Sequence, residues 1–320
     1  MNFSPVRSDG EQLEIQVISC GVCHADLSML DNEWGTTRFP LVPGHEVIGR
    51  VVEAGDEVKR AKVGDNVGLG WFSRSCMSCS QCLSGNHNLC AANEQTIVGR
   101  HGGFANRVRC HWVWATPLPS NLDQMKSGPL FCGGITVFNP ILQFGVLPVH
   151  RVGVIGIGGL GHLALQFLCK WGCDVTAFTT SDAKAAEAVS LGARRVLNTR
   201  DSGALEKAAG SLDFIISTVA SDLGWPSYLN LLAPKGRLHF VGVPPSPIAL
   251  HAFPLIAAQR SIGGSPLGSP ATTGQMLDFC GRHGVAPITE SFKLSEANQA
   301  IEHLRAGKAR YRIVLENDLG

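Results

Sequence analysis

Two cysteines and one histidine, at well-separated points of the chain, carry side chains that zinc prefers. Cys23 opens the segment Cys-His-Ala-Asp, His45 lies within Gly-His-Glu, and Cys132 stands far downstream. Two thiolates and one imidazole suit zinc, and three protein ligands leave a fourth position open for chemistry. Three scattered ligands do not define a motif by themselves. We therefore interpret them together with the other motifs of the chain.

Four further cysteines lie close together in a polar stretch at residues 71–95. Cys76, Cys79, Cys82 and Cys90 form the pattern C-x2-C-x2-C-x7-C. Four thiolates at this spacing can complete a tetrahedral shell, which is typical of a structural zinc site. The ion would also stabilise a segment that has few apolar residues of its own. An iron–sulfur cluster and free thiols are the alternatives.

A glycine-rich stretch joins a predicted strand at residues 152–155 to a predicted helix at residues 160–171. The turn spans residues 156–161 and includes the candidate cofactor-binding residues Gly156, Gly158, Gly159, Leu160 and Gly161. In this G-x-G-x-x-G pattern Gly156 permits a tight turn, Gly158 lets a diphosphate approach, and Gly161 allows close helix packing. The helix N-terminus offers free N–H groups to phosphate. The pattern predicts a dinucleotide-binding turn, and the alternative is a glycine-rich turn without a ligand.

The end of the next strand bears on which dinucleotide is bound. In NAD-binding folds an acidic residue here binds the ribose. This chain has Thr179-Thr180-Ser181-Asp182-Ala183-Lys184, with Thr179 where the acid is expected. Hydroxyl groups and the Lys184 ammonium suit a 2′-phosphate, so the sequence favours NADP(H) over NAD(H). We interpret Asp182 as the cap of a helix that begins at Ala183.

Composition limits the remaining classes of function. Lysine and arginine total 27 against 26 aspartates and glutamates, with no basic stripe, which argues against binding to nucleic acid or a membrane surface. Met1 to Gly10 is polar and lacks the apolar core of a signal peptide, so a cytoplasmic protein is predicted. Eleven cysteines in such a chain are expected to be metal ligands and reduced thiols.

The secondary structure that must position these residues differs between two regions of the chain. Residues 41–69 are rich in valine and glycine, which predicts short strands joined by turns. From residue 151 onward, predicted strands alternate with helical stretches. Those strands are at 152–155, 174–178, 195–197, 213–217, 238–241 and 261–262. Repeated strand–helix units imply a parallel, doubly wound sheet, so the fold class is α/β with a mostly β part beside it.

Together these stretches resemble the zinc-dependent medium-chain dehydrogenase/reductase superfamily, in its branch of cinnamyl alcohol dehydrogenases and NADP-dependent aldehyde reductases. The segments that carry the resemblance are residues 20–27, residues 43–46, the four-cysteine stretch, the glycine turn and residues 177–181. It implies a GroES-like, mostly β catalytic domain at residues 1–132 and 267–320, with a structural zinc lobe at about 71–95. A Rossmann domain at residues 133–266 is implied between them.

The resemblance also implies roles for individual residues. Cys23, His45 and Cys132 would bind the catalytic zinc, with Glu46 beside it as an occasional substitute ligand. Asp26 would orient the histidine ligand, a role that suits a carboxylate. The positions matched to the cofactor are His24, Thr136 and Arg312, and those matched to the substrate channel are Trp34, Trp71 and Phe72. Ordinary packing is the alternative for the aromatic residues, and a solvated position is the alternative for Arg312.

One departure from the family pattern concerns proton transfer. The residue two positions after the zinc cysteine usually carries a hydroxyl, and here it is Ala25. Where the family often has a histidine, this chain has Ser28. Ser28, a water or the cofactor ribose must then pass the proton, and slower turnover is expected because a positioned proton donor contributes about 10²–10⁴-fold.

The predicted function is a reversible NADP(H)-dependent, zinc-dependent alcohol dehydrogenase or aldehyde reductase acting on a primary alcohol or aldehyde, aliphatic or aromatic. Its partners would be this small molecule and, by resemblance, further copies of the chain in a homodimer or homotetramer. The alternatives are a polyol dehydrogenase of the same superfamily and a non-catalytic zinc scaffold. An acid in place of Thr179 would favour the polyol enzyme, and incomplete zinc ligands would favour the scaffold.

Overall fold

The computed structural model describes residues 10–319, except for the side chain of Ser202. The strands in chain order are β1 Gln12–Val22, β2 Val47–Ala54, β3 Asn66–Leu69, β4 Phe72–Arg74, β5 Glu94–Gln95, β6 Arg107–His111, β7 Thr116–Pro117, β8 Arg151–Ile155, β9 Asp174–Thr179, β10 Arg195–Asn198, β11 Leu212–Ser217, β12 Leu232–Phe240, β13 Ser261–Gly264, β14 Thr289–Lys293 and β15 Arg312–Glu316. The helices are α1 His24–Leu30, α2 Ser80–Leu83, α3 Gly133–Gln143, α4 Gly161–Trp171, α5 Ala185–Ser190, α6 Ser202–Lys207, α7 Trp225–Asn230, α8 Phe253–Ala258, α9 Pro270–His283 and α10 Ala297–Arg305.

The chain divides into two compact units, and the second is inserted into the first. The first unit contains residues up to Ile135 and from Leu267 onward, and the second runs from Thr136 to Pro266. Residues 1–9, on which the absence of a signal peptide was predicted, lie outside the described residues. In the part of the chain that is described, no helix has the length and apolar character needed to cross a bilayer.

The first unit is built on a mainly antiparallel sheet with the order β14-β15-β1-β2-β3-β7, and β6 also pairs with β1. Its inward side chains include Leu13, Ile15 and Val17 of β1, which belong to the buried apolar core. β15 comes from the end of the chain and pairs antiparallel with β1. The last strand therefore lies next to the strand that leads into Cys23.

The second unit confirms the predicted doubly wound sheet. Its strands are all parallel, in the order β10-β9-β8-β11-β12-β13. This is the order that places a ligand crevice at the carboxyl ends of the central strands. Buried apolar side chains such as Phe178, Ile215 and Leu238 form its core. The predicted strands were right in position, and β12 is longer at its start than predicted.

The predicted helix cap at Asp182 is wrong. The structure begins a 3-10 turn at Asp182 itself, with Ser181 at the N-cap and no capping hydrogen bond from a side chain. The Asp182 carboxylate instead accepts a hydrogen bond from Asn198 at the end of β10, 3.0 Å away. Because this donor comes from a neighbouring strand, the local sequence alone could not indicate it.

Candidate functional site

Three separate segments bring Cys23, His45 and Cys132 together in the first unit. Cys23 stands at the junction of β1 and α1, and His45 lies two residues before β2. Cys132 ends the 3-10 turn Gly128–Phe131. The two Sγ atoms are 3.7 Å apart, and His45 Nε2 lies 3.4 Å from the Sγ of Cys132. One ligand atom from each, together with a Glu46 oxygen, lies within 4.8 Å of all the others.

These separations fit a tetrahedral zinc ion. With Zn–S distances of about 2.3 Å and a Zn–N distance of about 2.0 Å, two sulfur ligands of a tetrahedron stand about 3.8 Å apart, and a sulfur and a nitrogen ligand stand about 3.5 Å apart. The distance of 3.7 Å between the two thiols therefore matches a shared ion. Three such ligands leave one position for an exogenous oxygen, which is the arrangement of a catalytic site.

Asp26 fixes this ligand set with three hydrogen bonds. Its Oδ1 accepts from the backbone N–H of Gly44 at 2.9 Å and lies 3.0 Å from His45 Nδ1, while its Oδ2 accepts from the N–H of Cys23 at 2.9 Å. The side chain is fully buried. Because a carboxylate only accepts, His45 must carry its proton on Nδ1, which leaves Nε2 free to bind a metal.

Glu46 and Arg312 form a buried ion pair beside the same thiols. Arg312, the first residue of β15, donates to Oε1 of Glu46, and both side chains are buried. Burial raises the pKa of Glu46 to about 7, although Arg312 opposes this shift. Oε2 of Glu46 and Nε of Arg312 are buried and have no hydrogen-bond partner among the described residues. Arg312 is therefore not solvated, and an unpaired carboxylate oxygen is available next to the metal ligands.

Without a metal, the pKa shifts of the ligands favour protons on Cys132 and His45 and a thiolate at Cys23. The hydrogen bond with Cys132 lowers the pKa of Cys23, and the same bond raises the pKa of Cys132. Burial alone would lower the pKa of His45, but the charge of Asp26 raises it well above its ordinary value. Zinc binding therefore has to displace protons from this cluster, which couples metal affinity to pH.

Aromatic rings form one wall of the cluster. The ring of Trp71 lies edge-on to His45 at a centroid distance of 5.0 Å and to Trp34 at 5.8 Å. Trp34 is half exposed. Phe72 is buried and packs on Trp114 at 5.2 Å. Trp71 and Phe72 also line a cavity of about 20 Å³, room for one water molecule, whose wall is mostly apolar.

The four remaining candidate ligands also converge. The Sγ atoms of Cys76, Cys79, Cys82 and Cys90 lie within 4.8 Å of one another, and those of Cys76 and Cys82 are 3.9 Å apart. Backbone N–H groups of residues 78 and 79 lower the pKa of Cys76 to about 6, which favours the thiolate form that zinc binds. This set has four sulfurs and no open position, as a structural zinc site requires.

The glycine turn has the geometry that its sequence predicted. Gly156 has φ +88°, in the left-handed region that glycine adopts at little cost. A side chain on Gly161 would strike the carbonyl of Gly156, whereas one on Gly158 would meet no atom within 4 Å. Gly159 and Leu160 lead into the eleven-residue helix α4. Gly158 thus leaves open space in front of the helix N-terminus, where a diphosphate would fit.

Thr179 ends β9, as predicted, with no acid in its place. Its hydroxyl accepts a hydrogen bond from the backbone N–H of Ser181 at 3.2 Å, which folds the loop back at the strand end. Thr180 is exposed, whereas Ser181 and Lys184 are half-buried. The end of β9 therefore presents the hydroxyl groups of Thr180 and Ser181 and the ammonium group of Lys184, next to the exposed carboxylate of Asp182.

The other predicted site residues differ in their exposure. His24 is exposed in the first turn of α1, and Ser28 is buried in the same helix. Thr136 is buried in α3 and belongs to the second unit. Sequence reasoning missed two features, the pairing of Glu46 with Arg312 and the contact between Asn198 and Asp182. The only sequence signal for the first was an arginine directly before the apolar residues 313–315 of the terminal strand.

Two family models match the chain. The model described as "Alcohol dehydrogenase GroES-like domain" matches residues 9–120. The model described as "Zinc-binding dehydrogenase" matches residues 159–282. The first covers Cys23 and His45 together with the four-cysteine cluster, and the second includes Gly161, Thr179 and Lys184.

Curated relatives match over nearly the whole chain. The chain is 52% identical over 315 residues to the aldehyde reductase AdhA of Synechocystis sp., covering 98% of this chain and 94% of that protein. It is 38% identical over 324 residues to cinnamyl alcohol dehydrogenase 2 of Rauvolfia serpentina, covering 98% and 90%. A probable mannitol dehydrogenase of Medicago sativa is also 38% identical over 323 residues, with the same coverage of 98% and 90%.

Solved structures of cinnamyl alcohol dehydrogenases also match nearly the whole chain. A cinnamyl alcohol dehydrogenase from Sorghum bicolor superposes with a TM-score of 0.93 at 36% identity, covering 98% of this chain and 92% of that one. A CAD from Helicobacter pylori, in complex with NADP(H), superposes with a TM-score of 0.89 at 30% identity and the same coverage.

Proposed function

Because this chain belongs to the family of zinc-dependent alcohol dehydrogenases, we propose that it reversibly reduces aldehydes to primary alcohols with NADPH. The observation that carries the proposal is the cluster of Cys23, His45 and Cys132 at tetrahedral spacing with one position open. The complete ligand set argues against a non-catalytic scaffold. A dinucleotide turn in the same chain supplies the second requirement of the reaction.

Cys23, His45 and Cys132 hold the catalytic zinc, and the four-cysteine cluster holds a structural zinc. Bound zinc supplies a Lewis acid for the aldehyde oxygen, and NADPH supplies the hydride. Asp26 keeps the His45 tautomer and ring orientation that ligation needs. Glu46 supplies a spare carboxylate oxygen next to the ligands, held by Arg312. Ser28, a water or the cofactor ribose would pass the alcohol proton, since Ala25 lacks a hydroxyl.

The dinucleotide is held by the second unit. Gly158 and the N-terminus of α4 would bind its diphosphate, since the turn of Gly156 to Gly161 leaves room there. Thr179, Thr180, Ser181 and Lys184 receive the 2′-phosphate. Hydroxyl and ammonium donors suit a phosphate, whereas NAD-binding sites place a carboxylate there. His24, Thr136 and Arg312 are proposed as further cofactor contacts.

Trp34, Trp71 and Phe72 line the substrate side. A wall of aromatic rings next to His45 favours aliphatic or aromatic aldehydes over polyols, because it offers a polyol few hydrogen-bond partners. The proposed domains, a catalytic one at residues 1–132 and 267–320 and a nucleotide-binding one at 133–266, assign this chemistry to the two units. A homodimer or homotetramer, and a cytoplasmic location, remain predictions.

Replacing Asp26 by asparagine is expected to weaken zinc binding at the catalytic site by about 10- to 100-fold. If the asparagine oxygen keeps the hydrogen bonds with His45 and Gly44, the asparagine NH2 group faces the N–H of Cys23. Two donors then oppose each other. Competition with a chelator, followed by metal analysis, measures the affinity. The control is Asp31→Asn, which removes an exposed carboxylate paired with Arg305. Equal zinc affinity in the two variants would contradict the role of Asp26.

The function is tested by following oxidation of NADPH and of NADH with a panel of aldehydes and with fructose, using zinc-replete protein. We expect turnover of straight-chain and aromatic aldehydes, with kcat/KM higher for NADPH. Turnover of fructose, without turnover of any aldehyde, would favour the polyol dehydrogenase. No turnover of any substrate would favour a scaffold.

A further inference from the structure

The loop after β9 contains one carboxylate, and a side chain of the neighbouring strand holds it by a hydrogen bond. Within residues 179–184 the only acidic residue is Asp182. An acid free at this position would bind a ribose hydroxyl and repel a 2′-phosphate. Instead, Oδ1 of Asp182 accepts a hydrogen bond from Nδ2 of Asn198 at 3.0 Å. The side chain that could reverse the cofactor preference is therefore engaged by the neighbouring strand.

A second hydrogen bond fixes the orientation of the Asn198 amide. Its Oδ1 accepts from the backbone N–H of Arg200 at 3.0 Å. A backbone N–H can only donate, so the oxygen must face Arg200 and the NH2 group must face Asp182. In the hydrogen bond between these two side chains, called the tether below, the Asn198 amide is therefore the donor and the Asp182 carboxylate is the acceptor. The backbone at this point is also held, since the N–H of Thr199 donates to the carbonyl of Thr179 at 2.8 Å.

The order of the strands indicates on which side of β9 the tether holds the Asp182 carboxylate. β9 lies between β10 and β8 in the sheet. The glycine turn follows β8, whereas Asn198 is the last residue of β10 and pairs in register with Thr179. The bond to Asn198 therefore draws the Asp182 carboxylate to the side of β9 opposite the glycine turn. Thr179, Thr180 and Ser181 are left at the strand end without a competing charge.

We propose that Asn198 is a specificity-determining residue, which holds Asp182 away from the nucleotide and so permits selection of NADP(H). The inference rests on the proposed function, because it concerns the same nucleotide site. Asn198 acts through Asp182 and is thus a positioning residue. Without the tether, the carboxylate can turn toward the 2′-position, where a phosphate of charge about −2 would meet it.

The test measures binding to the whole zinc-replete chain by calorimetry, with 2′,5′-ADP (adenosine 2′,5′-bisphosphate) and 5′-AMP, which lacks only the 2′-phosphate, as probes. The ratio of their dissociation constants isolates the contribution of the 2′-phosphate and requires no turnover. In Asn198→Ala we expect the preference for 2′,5′-ADP to fall about five- to tenfold. This corresponds to repulsion between the carboxylate and the phosphate at about 7 Å in water. Added salt should reduce the difference.

The double variant Asn198→Ala/Asp182→Asn separates this role from a merely structural one. With the charge removed, the preference should return to the wild-type value, and Asp182→Asn alone should keep it. A preference unchanged in Asn198→Ala, or a loss that the second substitution does not restore, would overturn the inference alone. A wild-type protein that does not prefer 2′,5′-ADP would overturn the proposed NADP(H) preference, and the inference with it.

Discussion

Replacing Cys132 by serine is expected to lower kcat for aldehyde reduction by about 10³-fold or more. A serine hydroxyl is not ionised at neutral pH and replaces a soft ligand, so only Cys23 and His45 remain to hold the ion. Loss of Lewis-acid stabilisation is worth several kcal/mol, and each 1.4 kcal/mol is about a factor of ten in rate. NADPH oxidation measures the rate, and mass spectrometry of the metal should find one zinc per chain instead of two.

The control for this variant is Cys169→Ser. Cys169 is exposed in α4 and lies outside both cysteine clusters, so the variant should keep two zinc ions and wild-type activity. The ligand assignment would be contradicted by a Cys132→Ser protein that keeps both zinc ions and more than about a tenth of the activity.

Replacing Cys90 by serine is expected to remove the other zinc and unfold the lobe at residues 71–95. This lobe contains only the short elements β4, β5, α2 and the 3-10 turn His87–Leu89, and few of its side chains are buried and apolar. Metal binding must therefore supply most of its folding free energy. We expect the zinc content to fall to one per chain and Tm to fall by about 10 °C, since a few kcal/mol has this effect in a chain of this size.

Limited proteolysis and calorimetry check this expectation, with cleavage predicted first within the lobe. The matched control is Cys110→Ser, which also changes a buried cysteine but lies outside both metal clusters. Cys110→Ser should lose some stability while keeping two zinc ions. If Cys90→Ser keeps both ions and its lobe resists protease as in the wild type, the structural role of this zinc is wrong.

The parts of the fold that follow from local pattern could be predicted from the sequence. The alternation of strands and helices after residue 151 gave the doubly wound sheet, because each unit signals its own period. The roles of Gly156, Gly158 and Gly161 could be predicted because glycine is needed where backbone or ligand must approach closely. The spacing of the four cysteines was equally local.

The features that depend on distant pairing could not be predicted. Arg312 lies next to Glu46 only because β15 pairs with β1, which precedes Cys23. The position of Arg312 therefore depends on the register of two strands from opposite ends of the chain. The contact between Asp182 and Asn198 likewise depends on β9 pairing with β10. Helix-start rules assigned Asp182 to a cap because they consider only its neighbours in sequence.

Anomalous scattering at the zinc edge, from crystals of zinc-replete protein, tests the central claim most directly. We predict two peaks per chain. One should lie about 2.3 Å from the Sγ atoms of Cys23 and Cys132 and about 2.0 Å from Nε2 of His45, and the other should lie among the four cysteines of the lobe. A single peak in the lobe, with full zinc in solution and none between residues 23, 45 and 132, would contradict the account.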